Sequence, residues 1–272
     1  MTTERTSRQS FLGDHSDDQF ARVSVAVLGL GGGGSHIVQQ LGHIGFSRIG
    51  ICDPDVAEES NLNRLVGATE KDVEVGARKV DIASRMIKGL RGTAKVQVLF
   101  GRWEEHANTI ADVDLIFGCL DGYAARRDLE SFARRHLIPL IDIGMDVHRA
   151  DGAAPQMSGQ VIVSMPGGPC MWCLNYLNNV VLTREAEKYG AAGPRPQVVW
   201  PNGILASAAV GIAVDLLTGW TQQRPPIYLE LDGNSLTLAP PARLALYDLQ
   251  KPCRHFPADD VDHHGDPVFK VR

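Results

Sequence analysis

The chain has 272 residues, 44% of them hydrophobic and 6% aromatic, with a formal net charge of −5. This length supports one substantial core, and the acidic balance without a basic cluster argues against a nucleic-acid-binding protein. Residues 1–20 are polar and lack a signal-peptide pattern, and the apolar segment 203–217 is shorter than the about 20 residues that a membrane-spanning helix needs. We therefore expect a soluble, cytoplasmic protein with neither a membrane nor a nucleic acid as partner.

Strands and helices alternate over the first 143 residues. Short β-branched runs are typical of buried parallel strands, and amphipathic stretches lie between them. The pattern predicts strands at 23–28, 48–52, 94–100, 114–119 and 137–143, helices at 35–44, 75–87 and 123–136, and a loop at 61–69. Such alternation favours an α/β, doubly wound, mainly parallel sheet.

The second half of the chain has a different texture. Further strands are predicted at 152–163 and after Tyr228, where they extend the sheet in antiparallel fashion, and a helix is predicted at 202–218. Between them, 183–200 contains charge, Gly and Pro and is predicted to be a mobile crossover segment. We expect an N-terminal arm (1–22), a nucleotide-binding half (23–150) and a C-terminal half (151–272) within one continuous domain.

A glycine-rich turn follows the first predicted strand. Gly29, Gly31 and Gly34 give the spacing G-x-G-x-x-G ahead of a helix, and Gly32 lies within it. Without a Cβ the backbone can approach a nucleotide, and the helix N-terminus attracts phosphate. Asp53 ends the second strand, where a carboxylate can bind ribose hydroxyls. The motif predicts nucleotide binding rather than an unliganded tight turn, but it does not separate NAD, FAD and ATP.

Charged residues beyond the glycine turn favour a triphosphate. Arg64 and Lys79 can bind phosphate oxygens, although each taken alone is more typical of a solvated loop or helix face. Asp121 follows the strand at 114–119 and suits a Mg²⁺ ion shared with phosphates. The same aspartate also suits the N-cap of the next helix, and both roles can hold together.

Several motifs in combination resemble the adenylating domain of the ubiquitin-activating-enzyme (E1)-like proteins, the ThiF–MoeB–HesA group. The matching segments are 27–35, Asp53–Asp55, 60–64, 76–79, 119–121, 169–174 and the helix after Pro201. The resemblance implies that ATP binds the glycine turn with Asp53 and Asp55. It further implies that the triphosphate is held by Asn61, Arg64 and Lys79, and that Asp121 holds Mg²⁺.

The resemblance also implies a reaction and partners. Such enzymes adenylate the C-terminal, Gly-Gly-type carboxylate of a ubiquitin-like or sulfur-carrier protein and release pyrophosphate. Arg8, with Gln9, resembles an N-terminal pair whose arginine reaches the partner subunit's site, which implies a homodimer; the alternative is a tail charge without a role. The crossover segment contains no cysteine, so we expect the reaction to stop at the acyl-adenylate, with a separate conjugating or sulfur-transfer protein acting next.

Two details depart from the pattern of that family. Gly122 follows Asp121 where an asparagine is usual, and two extra residues separate Arg64 from Lys79. Both leave the geometry around the phosphates open, and neither removes a charge.

A zinc site is predicted in the second half. Cys170 and Cys173 form a Cys-x-x-Cys pair, and Cys253 with His255 would complete Cys₃His. His263 or His264 could replace His255 as the fourth ligand, and a redox pair or free thiols are the alternatives. The two other cysteines are expected to be buried apolar residues: Cys52 and Cys119.

Three other functions remain open from the sequence. An NAD-dependent oxidoreductase explains the glycine turn and Asp53 but leaves Arg64, Lys79 and the cysteine pair without a role. A non-catalytic scaffold that binds ubiquitin-like proteins is suggested only by Gly122. An adenylating enzyme that modifies a peptide keeps the same chemistry.

Overall fold

The computed structural model describes residues 4–149, 152–187, 196–247 and 251–257, in which one eight-stranded mixed sheet forms. Its strands are β1 Ser24–Leu28, β2 Arg48–Asp53, β3 Lys95–Phe100, β4 Leu115–Gly118, β5 Leu140–His148, β6 Gln156–Ser164, β7 Tyr228–Asp232 and β8 Thr237–Ala239. The strand order is β3-β2-β1-β4-β5-β6-β7-β8. Pairing is parallel from β3 to β5 and antiparallel from β5 to β8. This confirms the predicted α/β fold class.

Helices cover both faces of this sheet. The α-helices are α1 Ser16–Arg22, α2 Gly32–Ile44, α3 Glu70–Glu74, α4 Lys79–Leu90, α5 Ala107–Ile110, α6 Tyr123–Arg135, α7 Asn179–Glu187 and α8 Val199–Thr218. Short 3₁₀ helices occur at Glu4–Leu12, Glu59–Asn61, Trp103–His106 and Ala242–Leu246.

Successive residues of a parallel strand pack into two hydrophobic cores, one on each face of the sheet. Val25 and Val27 of β1 pack with α2, α4 and α8 on one face, whereas Ala26 and Leu28 pack with α6 on the other. All four are essentially inaccessible to solvent. A strand buried on both faces reads as a continuous apolar run, which is why β1 was recognisable in the sequence.

Several predicted boundaries are wrong by a few residues. The helix predicted at 75–87 begins only at Lys79, because Gly76 adopts a φ of +60° and Arg78 forms a β-bridge with Val56. The helix predicted at 35–44 begins earlier, at Gly32, inside the glycine turn. The strand predicted at 137–143 is β5, which starts three residues later because Leu137, at φ +56°, ends the preceding helical segment.

The second half also needs corrections. The strand predicted at 152–163 begins at Gln156, and α8 begins at Val199 rather than 202. Part of the predicted crossover segment is ordered as α7, while 188–195 lies outside the described residues. Within the described part of the chain, α8 is the one helix long and apolar enough to cross a bilayer by length and composition. It packs against α2, β5 and β6, and core packing of this kind accounts for its composition equally well.

Candidate active site

The glycine turn forms one wall of a cavity of about 240 Å³ at the carboxyl ends of β1, β2 and β4. Gly29 has a φ of +89°, and a Cβ added there would lie 2.4 Å from the carbonyl oxygen of Cys119. At Gly34 a Cβ would lie 1.9 Å from the carbonyl oxygen of Gly29. Both positions therefore require glycine for the turn to close. The cavity lies where the strand order reverses, the usual ligand site of an open α/β sheet.

Asp53 holds this turn in place. One carboxylate oxygen, Oδ2, accepts a hydrogen bond from the amide of Leu30 at 2.6 Å, and Oδ1 accepts from the amide of Asp55 at 2.9 Å. Burial raises the pKa of Asp53, while the charge of Lys79 and the two amide bonds oppose that rise. Asp53, which was predicted to bind the ribose, therefore forms part of the cavity wall.

Two cations project into the same cavity from different elements. Lys79 is the first residue of α4, and its Nζ lies 2.6 Å from Asp55 Oδ2 and 3.9 Å from Asp53 Oδ1. Arg64 is half-buried and donates to the carbonyl oxygen of Ser60 at 2.5 Å and to Asn63 Oδ1 at 2.9 Å. Both side chains line the cavity, together with the exposed carboxylate of Asp121.

Most of the residues predicted for the nucleotide meet at this one cavity. Its lining includes Gly29, Gly31, Gly32, Asp53, Asp55, Arg64, Lys79 and Asp121. Three others lie elsewhere within the described chain. Gly34 lies behind the turn. Asn61 is buried and caps its 3₁₀ helix reciprocally with Glu58. Arg8 is exposed on the N-terminal 3₁₀ helix, where its neighbour Gln9 donates to the carbonyl oxygen of Ile44 at 2.8 Å.

A second, more open cleft of about 660 Å³ lies over the antiparallel half of the sheet. Gln160 and Glu230 occupy paired positions on β6 and β7, and both line this cleft. Tyr123, at the start of α6, and Tyr176 also line it, and their ring centroids are 5.5 Å apart. Asp121, which lines the cavity, lies two residues before Tyr123, so the cleft and the cavity each have a lining residue near the start of this helix.

The predicted metal ligands converge in a separate buried cluster. Cys170, Cys173, Cys253 and His255 place their ligand atoms within 4.8 Å of one another. The Sγ atoms are 3.7 Å apart for Cys170 and Cys173 and 3.6 Å apart for Cys173 and Cys253. His255 Nδ1 lies 3.4 Å from Cys170 Sγ and 3.3 Å from Cys173 Sγ.

These spacings fit a tetrahedral zinc ion. With Zn–S near 2.3 Å and Zn–N near 2.05 Å, tetrahedral angles place two sulfurs about 3.8 Å apart and a sulfur and a nitrogen about 3.6 Å apart. Hydrogen bonds from the Cys170 and Cys253 thiols lower the pKa of Cys173, whereas burial raises the pKa of Cys170. The donor set Cys₃His therefore fits zinc. The alternative ligands His263 and His264 lie outside the described residues.

Comparison with known families decides the identity of this fold. The model of the ThiF family matches residues 4–253, which is most of the chain. The chain belongs to the ThiF family. This agrees with the resemblance found in the motifs.

Named relatives of this ThiF-family chain are activating enzymes and adenylyltransferases. The SAMP-activating enzyme E1 of Haloferax volcanii is 28% identical over 165 residues, 60% of this chain and 57% of that protein. The sulfur carrier protein adenylyltransferase of Thermus thermophilus is 30% identical over 182 residues, 63% of each chain. The molybdopterin-synthase adenylyltransferase of Escherichia coli is 28% identical over 202 residues, 72% of this chain and 73% of that one. The chain thus spans less than two thirds of the first two relatives.

Solved structures show the same fold. The microcin C7 biosynthetic enzyme MccB, in complex with N-formylated MccA, superposes with a TM-score of 0.73 at 16% identity, covering 91% of this chain and 75% of that chain. PaaA superposes with a TM-score of 0.67 at 22% identity, covering 86% and 80%.

Sequence reasoning missed one buried pair in this ThiF-family site. Arg126 lines the cavity, forms an ion pair with Asp142 and donates to the carbonyl oxygen of Ile143 at 3.0 Å. Burial raises the pKa of Asp142 to about 7, although Arg126 opposes that rise. The available signal was an aspartate inside a strand otherwise predicted to be apolar, because such a charge needs a partner.

Proposed function

We propose that this chain uses ATP to adenylate the C-terminal carboxylate of a ubiquitin-like or sulfur-carrier protein with a Gly-Gly-type tail. The observation that carries the proposal is the convergence of Arg64, Lys79 and Asp121 on the cavity formed by the glycine turn. A dinucleotide needs no such pair of cations, whereas a triphosphate does. The activities for which the relatives are named support this choice of substrate class over an NAD-dependent oxidoreductase.

In the proposed reaction a carboxylate oxygen of the tail attacks the α-phosphorus of ATP. A new P–O bond forms as the bond to pyrophosphate breaks, and pyrophosphate leaves with its electron pair. The attacking carboxylate is already ionised, so no general base is required. Lys79 and Arg64 would neutralise charge on the phosphates, and the glycine turn would present backbone amides to them.

Magnesium fits this site through Asp121, whose exposed carboxylate faces the cavity beside both cations. Oxygen ligands shared with phosphates are the usual setting for this ion, and it would neutralise charge on the leaving pyrophosphate. The zinc cluster lies apart, and its four donors would leave no open position for substrate, which indicates a structural site.

The test is exchange of labelled pyrophosphate into ATP, measured with a panel of acyl substrates. The panel contains small β-grasp carriers ending in Gly-Gly, the same carriers with an amidated C-terminus, and peptides with a free C-terminus. Exchange that requires a free Gly-Gly carboxylate supports the proposal. NAD binding without exchange for any substrate would overturn it, and carrier binding without exchange would favour a scaffold.

A peptide substrate is the second candidate. The cleft over the antiparallel strands has room for an extended chain, and MccB, which is similar in fold, was solved with MccA. Exchange that depends on a peptide but not on any carrier would favour this candidate.

We further propose a cytoplasmic homodimer in which Arg8 serves the partner's cavity, with a separate protein consuming the adenylate. The exposed position of Arg8 supports this arrangement, as does the hydrogen bond of Gln9 to the end of α2, which fixes the arm beside it. Mixing inactive Arg8→Ala protein with inactive Lys79→Met protein should restore one active site per heterodimer; no recovery after subunit exchange would refute a shared site.

A further inference from the structure

A carboxylate from α7 occupies the N-terminus of α6. Glu185 Oε1 accepts a hydrogen bond from the amide of Tyr123 at 2.9 Å, and Oε2 accepts from the amide of Ala124 at 2.8 Å. These amides belong to the first turn of α6 and would otherwise lack a partner in their own helix. The N-cap residue, Gly122, has no side chain to satisfy them, so a residue 63 positions away in sequence caps the helix instead.

The glycine at position 122 is what makes room for this contact. Gly122 has a φ of +88°, and a Cβ added there would lie 2.6 Å from Glu185 Oε1. Any larger residue would therefore displace the carboxylate. The departure from the family pattern at position 122 and the contact from α7 are thus two parts of one arrangement.

The contact joins α6 to a helix that borders the open cleft. Val181 of α7 and Asn178 just before it line the open cleft together with residues of β6, β7 and β8. Tyr123 lines the same cleft, and Asp121, two residues before it, lines the cavity. Glu185 therefore connects α7, which borders the cleft, to α6, which begins two residues after Asp121 of the cavity lining.

We propose that Glu185 is a positioning residue: by capping α6 through the space left by Gly122, it holds α7 as the wall of the substrate cleft. When the contact is intact, α7 stays against α6 and the acyl substrate meets a preformed cleft. When the contact is lost, α7 moves away from α6. Binding of the substrate must then reorder α7, and this lowers the affinity for the substrate. The effect should therefore appear mainly in substrate binding.

The first test is limited trypsin digestion, which needs no substrate. Arg184 is exposed on α7, so cleavage after it reports local opening of the helix. Glu185→Ala and Gly122→Ala should each speed this cleavage about 3- to 30-fold, the range that follows from loss of a helix cap. Rates are normalised to the same variants in urea, since residue 185 adjoins the cleaved bond.

Two matched controls isolate the contact. Glu187→Ala removes the same charge from an exposed position on α7. Gly219→Ala adds a Cβ at another positive φ, +63°, with no atom within 4 Å. Both should leave cleavage after Arg184 unchanged.

The double variant Gly122→Ala/Glu185→Ala decides whether the two changes act through one contact. If they do, it should be cleaved no faster than either single variant, because residues that share an interaction are non-additive. Additive rates, or single-variant rates equal to that of the wild type, would overturn the proposal.

A second readout rests on the proposed function. With a substrate active in pyrophosphate exchange, Glu185→Ala should raise the KM for that substrate about 3- to 30-fold while the KM for ATP changes less than about 2-fold. Glu185→Gln, which keeps an acceptor oxygen, should recover part of the loss. A fall in kcat alone would overturn the positioning role. If the wild type shows no exchange at all, the proposed function fails, and the digestion still decides on the contact.

Discussion

Replacing Lys79 by methionine should remove the activity with little change in shape. The Nζ atom lies 3.9 Å from Asp53 Oδ1, and a unit-charge pair at that distance interacts by at most about 4 kcal/mol at an effective dielectric constant near 20. The closer pair with Asp55 contributes less, about 1 kcal/mol or below, because that carboxylate is 61% exposed. Loss of one phosphate-binding cation should lower pyrophosphate exchange about 10²- to 10³-fold.

The same change has a pH signature. Burial raises the pKa of Asp53, and the charge of Lys79 limits that rise, so methionine should raise the pKa further. A carboxyl whose pKa is raised on folding stabilises the fold fully only below its unfolded pKa, near 3.9, and loses that contribution as the pH rises through the folded value. The variant should therefore match the wild type in unfolding free energy near pH 4 and fall below it by pH 7.

The assays are pyrophosphate exchange and urea denaturation at several pH values. Lys88→Met is the matched control, because it removes an exposed lysine from the last turn of the same helix. It should behave as the wild type in both assays. Exchange by Lys79→Met within about threefold of the wild type would refute the assigned role, since such a change is only about 0.65 kcal/mol.

Two further changes test the Cys₃His cluster and the ion pair between Asp72 and Arg85. Cys253→Ser should lower zinc affinity by more than about 100-fold in chelator competition, since even residues behind the ligands can cost 10- to 100-fold; Cys52→Ala should retain zinc, and equal affinities would refute the cluster. Asp72→Asn should destabilise the protein by about 1–2 kcal/mol at pH 7, because Arg85 donates to this carboxylate and lowers its pKa. The loss of unfolding free energy should persist above the unfolded pKa near 3.9 and vanish as the pH falls through the lower pKa of Asp72 in the folded protein. The control Asp81→Asn, at an exposed position, should leave the unfolding free energy unchanged.

The parallel half of the fold was predictable because its signals are local. Runs such as 23–28 are apolar throughout, and the glycines that follow permit a turn that no other residue allows. Asp53 and Asp121 were predictable for the same reason, since the end of a parallel strand places a side chain at the ligand edge. Boundaries such as the start of α4 were wrong because a β-bridge between Val56 and Arg78 overrides local helix propensity.

The missed features depend on residues far apart in sequence. No local pattern identifies Glu185 as the residue that caps α6 at Gly122, and none identifies Asp142 as the partner of Arg126. Such contacts form only after the helices have packed on the sheet. The sequence did contain a hint in each case: a glycine where a capping residue is usual, and an aspartate inside a buried strand.

Helix α6 connects the Cys₃His cluster to the cavity of the glycine turn. Glu130, fully buried, accepts from the amide of Met171 at 2.8 Å and from the hydroxyl of Ser164 at 2.6 Å. Arg134, one turn later, donates to the carbonyl oxygens of Gly168 and Pro169 at 3.1 and 2.9 Å.

These four contacts fasten the C-terminal half of α6 to the β6 end and to the loop that carries Cys170 and Cys173, while its N-terminus borders Asp121. A zinc ion that fixes this loop would therefore also fix the register of α6 on the sheet. Loss of such a zinc ion should then disturb the cavity through the helix, although none of the four cluster residues that the structure describes lines it. A zinc ion bound there would thus stabilise the cavity indirectly, which agrees with a donor set that leaves no free position for substrate.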